Sequence, residues 1–268
     1  MKDRSLGTAL ITGASAGIGA VYADRLARRG YDLILVARDE ARLKALSACL
    51  TGETGLSVKV LPADLGNVAD LAKVETTLRD DPTITLLVNN AGIASVAPLL
   101  NADVKKVEDI IDLNVTALTR LTYAAAPAFV ARGAGTIINI GSVVGISPET
   151  LNGVYGASKA YVVALSHSLQ HELAAKGIRI QAVLPGATAT EIWAKAGLPY
   201  QNLPPSIVMS PEDVVDAALV GLDQGELVTI PSLHDGDEWT RFEAARRALS
   251  KRFGNAVPAP RYRIGALA

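Results

Sequence analysis

Thr8-Ala9-Leu10-Ile11-Thr12-Gly13-Ala14-Ser15-Ala16-Gly17-Ile18-Gly19 is the stretch that decides the fold. Its first five residues are apolar or β-branched and read as a short strand buried on both faces. The strand runs directly into a GxxxGxG turn, and a helix is expected from about Gly17 to Arg29. Glycines at such a turn permit a tight backbone path. They also let an anionic group approach the helix N-terminus, where unpaired N–H groups and the macrodipole favour negative charge. A glycine-rich turn alone is equally a plain loop; its place after the first strand of a βαβ unit makes it a candidate pyrophosphate cradle.

Further strand-like runs follow at Asp32–Ala37, Leu56–Leu61, Thr83–Val88, Gly135–Ile140, Ile178–Leu184 and Glu226–Ile230, each preceded by a helical pattern. This alternation predicts an α/β fold, a single doubly wound Rossmann-type domain over residues 1–268 with a parallel sheet and helices on both faces. Ligands of such folds bind beyond the carboxyl ends of the strands. Gly13, Arg38, Asp64, Asn89, Ser142 and Pro185 all fall at or just after predicted strand ends.

Composition sets bounds on function. With 26 Lys and Arg against 27 Asp and Glu, the chain has no basic field for nucleic acid or an anionic membrane, and neither partner is expected. Cys49 is the sole cysteine, which rules out an internal disulfide and suits a reducing compartment. The apolar run after Lys2 and Arg4 breaks at Thr12-Gly13, and nowhere do about 18 apolar residues follow one another, so a cytoplasmic location is expected. His167 and His171 lie four apart beside Glu172, but a zincin would carry glutamate where Ser168 stands, and no metal is expected. Ser142 does not read as a hydrolase nucleophile, because Ile140 occupies the position of the elbow's first glycine.

The chemistry concentrates in Gly141–Lys159. Tyr155 and Lys159 are four residues apart, which on a helix places phenol and ammonium on one face. A phenol titrates near ~10 by itself, and a nearby cation favours phenolate. Reduction of a carbonyl develops charge on its oxygen; Tyr155 can supply the proton and Ser142 a second hydrogen bond.

Together these segments resemble the compact subtype of the short-chain dehydrogenase/reductase family. The likeness covers nearly the whole chain and is carried, in order, by Thr12 to Gly19, Asp64-Leu65, Asn89-Asn90-Ala91-Gly92, Asn114, Ser142, Tyr155-Gly156-Ala157-Ser158-Lys159 and Pro185-Gly186. It implies about seven parallel strands and an NAD(P)-dependent oxidoreductase acting on an alcohol or carbonyl, in a homodimer or homotetramer. It implies a catalytic set of Asn114, Ser142, Tyr155 and Lys159, with Asn114 binding a relay water through its backbone carbonyl. From residues alone, Asn114 in its apolar surroundings reads as a satisfied core amide. Cofactor contacts are implied for Gly13, Ser15, Gly17, Ile18, Gly19, Arg38, Asp64, Leu65, Asn90, Ala91, Gly92, Tyr155, Lys159, Pro185, Gly186, Thr188 and Thr190. Asp64 would meet the adenine edge; it also reads as a turn or cap residue.

Arg38 after the strand-ending Ala37 suits the 2′-phosphate of NADP(H), with Ser15 adding a hydrogen bond. NAD(H) stays open as the alternative, because Asp39 follows at once and could hold ribose hydroxyls. Residues 187–209, with Trp193, Leu198 and Tyr200, read as a substrate lid. Val144, Trp193 and Tyr200 are candidate walls for a small apolar carbonyl or alcohol, while packing of the two rings onto the body is the other reading. Residues 256–268, with Arg261-Tyr262-Arg263, form a polar-apolar tail. A non-catalytic dinucleotide sensor would have little need of Tyr155 and Lys159 together, and epimerase or dehydratase chemistry goes with the family's longer subtype.

Overall fold

The computed structural model describes residues 6–151 and 153–262; Lys2, Arg4, Arg263 and the rest of the tail from 263 lie outside the described residues. Its strands are β1 (Thr8–Thr12), β2 (Asp32–Ala37), β3 (Val58–Pro62), β4 (Ile84–Asn89), β5 (Gly135–Ile140), β6 (Ile178–Val183) and β7 (Val228–Thr229). They form one parallel sheet in the order β3-β2-β1-β4-β5-β6-β7. The helices are α1 (Gly17–Arg28), α2 (Glu40–Thr54), α3 (Val68–Asp80), α4 (Val104–Ile111), α5 (Leu118–Arg132), α6 (Gly153–Leu173), α7 (Glu191–Lys195), α8 (Pro211–Asp223) and α9 (Gly236–Ser250).

β1, β2 and β5 have the expected bounds. β3 starts later than expected because the Ser57 N–H is taken by the Asp32 carboxylate at 2.8 Å. The edge strand β7 is shorter than Glu226–Ile230 because the Glu226 N–H turns back to the Gly221 carbonyl, 2.9 Å away. Along each inner strand, side chains alternate between two cores. Ile11, Leu35 and Val88 pack with Leu26, Leu43 and Leu219 of α1, α2 and α8. Leu10, Val36, Leu87 and Ile137 pack with Val74, Leu121, Phe129 and Leu169 of α3, α5 and α6. Coverage on both faces is why these strands are apolar throughout rather than alternating.

The strand order reverses between β1 and β4, and the helices that follow them leave to opposite faces, which opens a crevice at their carboxyl ends. The Thr12 hydroxyl bridges it, donating to the Val88 carbonyl (3.2 Å) and accepting from the N–H groups of Asn90 (2.9 Å) and Ala91 (3.0 Å). Deeper in the sheet, the Asn89 amide donates to the hydroxyl of Thr122 and to the side-chain oxygen of Asn139, both at 3.0 Å. The Asn139 amide donates to Ser166 at 3.0 Å. This buried chain joins β4 and β5 to α5 and α6. Residues from Leu233 onward form a second, small unit built on α9.

Asn139 is the link that touches both neighbours. Asn139→Ala leaves buried polar groups of Asn89 and Ser166 short of partners, and urea denaturation should show a loss of about 2–4 kcal/mol in unfolding free energy.

Candidate active site

α6 turns Tyr155, Ser158, Lys159 and Val162 inward, and Lys159 Nζ donates to the Ile140 carbonyl at the end of β5, 3.0 Å away. Ser142 leads the single turn Val143–Gly145. That turn packs directly on α6: a Cβ added at Gly145 would sit 2.7 Å from the Lys159 carbonyl oxygen. The close approach brings Ser142 beside the Tyr155 phenol, where its hydroxyl favours the charged form. The Ser142 hydroxyl also donates to the Pro185 carbonyl at 3.3 Å, which ties the loop after β6 to the same point.

Two effects compete at the phenol. Burial pushes Tyr155 up to about 12, and the hydrogen bond with Ser142 works in the opposite direction. Burial also pulls Lys159 down to about 8. Its ammonium lies 5.8 Å from the centre of the Tyr155 ring. The net shift of the phenol is therefore upward: desolvation outweighs the pull of neighbouring groups.

Asn114 lies on a π-helical turn, Asp112–Ala117, inserted between α4 and α5 rather than in the regular helix that its surroundings suggest. Its amide is fully used. The oxygen accepts from the Ile93 N–H (3.0 Å), and the nitrogen donates to the Ile93 carbonyl (2.9 Å) and to Ser158 (3.1 Å). Ser158 in turn donates to the Tyr155 carbonyl at 2.7 Å. Gly92 closes the group: a Cβ there would fall 3.1 Å from Asn114 Oδ1 and 3.6 Å from Lys159 Nζ. Ser158, Thr12 and Gly145 were not singled out by the sequence reading as site residues. In the sequence, Ser158 is marked by its spacing of three from Tyr155 and by its place in the run Tyr155–Lys159.

The glycine turn forms the other half of the cleft. A Cβ at Gly19 would collide with the Gly13 carbonyl and lie 2.5 Å from Asn90 Nδ2, so the turn and the Asn90 loop interlock only without it. Gly13 adopts φ +66°. Side chains of Asp39, Asn67, Asp103 and Ser210 cap α2, α3, α4 and α8, but α1 begins after Ala16 with no such cap. No side chain caps its first N–H groups, the condition a pyrophosphate cradle would require. Ile18 packs into the core beneath, and Ser15 is half-buried in the turn. Arg38 is exposed at the end of β2 with no ion pair among the described residues, while Asp39 accepts from the Arg42 N–H at 3.0 Å. Asp64 accepts from the Gly66 N–H at 3.0 Å in a local turn, and the helix cap is Asn67; Leu65 is buried.

The segment 187–209 is anchored at its base. Met209 N–H donates to the Ala187 carbonyl and Ala189 N–H to that of Met209, both at 2.9 Å, beside the buried Thr188, whose hydroxyl donates to Gly186 at 3.1 Å. Beyond it the Thr190 methyl sits 2.9 Å from where a Gly17 Cβ would lie. Glu191, the first residue of α7, pairs with Arg42 of α2 at 2.8 Å. Val144 is buried beside Ser142; Trp193 and Tyr200 are half-buried in this segment, and no described hydrogen bond or ring contact joins either ring to Tyr155 or Ser142.

Residues 7–200 match the family model for short chain dehydrogenases. The chain belongs to the short-chain dehydrogenase family. A short-chain dehydrogenase from Sphingobium yanoikuyae in complex with NADPH superposes with a TM-score of 0.94 at 53% identity, covering 96% of this chain and 100% of that one. The bulky-bulky ketone specific alcohol dehydrogenase from Comamonas testosteroni gives a TM-score of 0.89 at 46% identity over 97% and 99%. A very-long-chain 3-oxoacyl-CoA reductase of Danio rerio is 34% identical over 224 residues, 82% of this chain and 70% of that protein. The protein is thus a short-chain dehydrogenase/reductase, an NAD(P)-dependent oxidoreductase acting on CH–OH groups. Among the described residues, no helix is long and apolar enough to cross a membrane.

The lowered Lys159 has a measurable consequence. Between about pH 8 and the ordinary lysine value near ~10.4, the unfolded chain retains a proton that the folded chain has released, so this residue makes stability rise with pH in that window. Urea midpoints of the ligand-free protein should show the wild type gaining on Lys159→Met from about pH 8 to about pH 10; parallel curves would contradict the assignment.

Proposed function

We propose that this dehydrogenase is an NADPH-dependent reductase of bulky apolar ketones and aldehydes, with alcohol oxidation as the reverse reaction, working in the cytoplasm as a homodimer or homotetramer. The observation that carries this reading is the buried Tyr155 phenol, with Ser142 beside it and the Lys159 ammonium 5.8 Å from its ring centre. A phenol raised to about 12 keeps its proton at neutral pH, the state required of a donor to the carbonyl oxygen. Ser142 gives that oxygen a second hydrogen bond as charge develops. Lys159 is charged at neutral pH; it stabilises the phenolate left after donation and holds the nicotinamide ribose. The backbone at Asn114 supports the relay that returns the proton, since a π-turn leaves a carbonyl out of the regular ladder. Bound NADPH supplies the hydride.

The cofactor would lie with its pyrophosphate on the uncapped start of α1, against Gly13, Gly17, Ile18 and Gly19. Arg38 and Ser15 would hold the 2′-phosphate, and Asp64 and Leu65 the adenine edge. Asn90, Ala91, Gly92, Pro185, Gly186, Thr188 and Thr190 would line the remainder. NADP(H) is favoured over NAD(H) because Arg38 is unpaired while Asp39 is engaged at the start of α2. The NADPH bound to the Sphingobium relative supports the same choice. For the substrate, support comes from the apolar and aromatic content of 187–209 and from the ketone specificity in the name of the Comamonas relative. Val144, Trp193 and Tyr200 would form the apolar walls.

NADPH oxidation across a panel of ketones and aldehydes tests this directly. Tyr155→Phe keeps the ring and removes the proton, so kcat should fall by about 10²–10⁴ while NADPH still binds; near-normal turnover would eliminate Tyr155 as the acid. Arg38→Ala should weaken NADPH binding by about 1.5–3 kcal/mol, the range for a hydrogen bond to a charged group, and leave NADH binding nearly unchanged. Equal losses for both cofactors would overturn the NADP assignment.

A further inference from the structure

We infer that α9 is a self-association surface on which a second copy of this chain pairs antiparallel to the first. Trp239, Phe242, Arg246 and Leu249 follow the alternating spacing of three and four that marks a coiled-coil seam, and Phe253 continues it just beyond the helix. Phe242, Leu249 and Phe253 are 47%, 56% and 71% exposed. The Trp239 and Phe242 rings stack with centroids 5.2 Å apart, which makes one ridge of the first two positions.

The charges identify the occupant. Asp237 and Glu238 stand at the start of α9, Lys251 and Arg252 at its end, and among the described residues none of the four side chains has an ion-pair partner. The charges between them are engaged: Arg241 pairs with Asp235 at 3.5 Å, and Arg246 and Arg247 with Glu243 at 2.9 and 3.7 Å. A helix with spare acids at one end and spare bases at the other is complementary to a reversed copy of itself. In a register centred on Arg246, Phe242 meets the second copy's Leu249 and Trp239 its Phe253. On the flank of the seam, Glu238 then faces the second copy's Arg252, twice over, as a two-fold contact requires, while Asp237 and Lys251 add their charge from the outer face. Arg246 faces its own counterpart, and its two hydrogen bonds to Glu243, both 2.9 Å, answer its charge. The helix macrodipole also favours acids first and bases last, but it gives no reason for a ridge of Phe and Leu in water.

The test uses the full chain. Light scattering should find a dimer or a multiple of one. Asp237→Lys with Glu238→Lys should halve the mass, and adding Lys251→Glu with Arg252→Glu should restore it. In a Cys49→Ser background, Arg246→Cys carries the sole cysteine at the two-fold axis and should form a disulfide-linked dimer on mild oxidation. This second variant decides the matter if the charge-reversed proteins fail to fold. A monomeric wild type, a mass unchanged by the reversal, a four-residue swap that restores nothing, absence of the cross-link, or wild-type binding to phosphatidylserine vesicles in place of self-association would each overturn the pairing.

Discussion

The hydroxyl of Thr12 sits where the two halves of the sheet part, and the arrangement of the cleft depends on its three hydrogen bonds. It holds the start of the glycine turn against the loop after β4, so the anion cradle and the Asn90 loop cannot drift independently. From that loop the connection is continuous. Gly92 abuts Asn114, Asn114 bonds Ser158, and Ser158 bonds the Tyr155 carbonyl. A side chain at the end of the first strand thereby helps set the position of a phenol on the sixth helix. Glycine is required at Gly19 for lack of space, because the Gly13 carbonyl occupies the volume a methyl would need, while at Gly92 a methyl would press on Asn114 Oδ1 at 3.1 Å.

Burial is what gives the polar cluster its character. In water, the phenol and the lysine would titrate at nearly the same pH. Inside the cleft, the loss of solvent drives them apart, one up and one down, yet at neutral pH the phenol is still protonated and the lysine still charged.

Much of this was legible in the residues. The run Thr8–Thr12 into Gly13 announced a strand and a turn because local patterning dictates both. Tyr155 and Lys159 declared a shared helix face by spacing alone. What stayed hidden depends on distant partners. The π-turn at Asn114 is stabilised by Ile93 and Ser158, twenty-one residues before it and forty-four after it, and no local pattern encodes that. The balance of effects at Tyr155 could not be read either, because spacing reveals the cation and not the desolvation. The bond from the Arg42 N–H to Asp39, which caps α2, was not legible either, because the residue reads equally as a ribose ligand.

The Arg42–Glu191 pair fastens α7 to α2 across solvent, with about half of each side chain exposed. Pairs in that setting contribute about 0–1 kcal/mol, so thermal motion is enough to release the fastening at frequent intervals. Dissolved ions screen it further, over a distance of about 8 Å at physiological ionic strength. The hold of α7 on α2 is therefore coupled to the salinity of the medium, through two side chains at the surface.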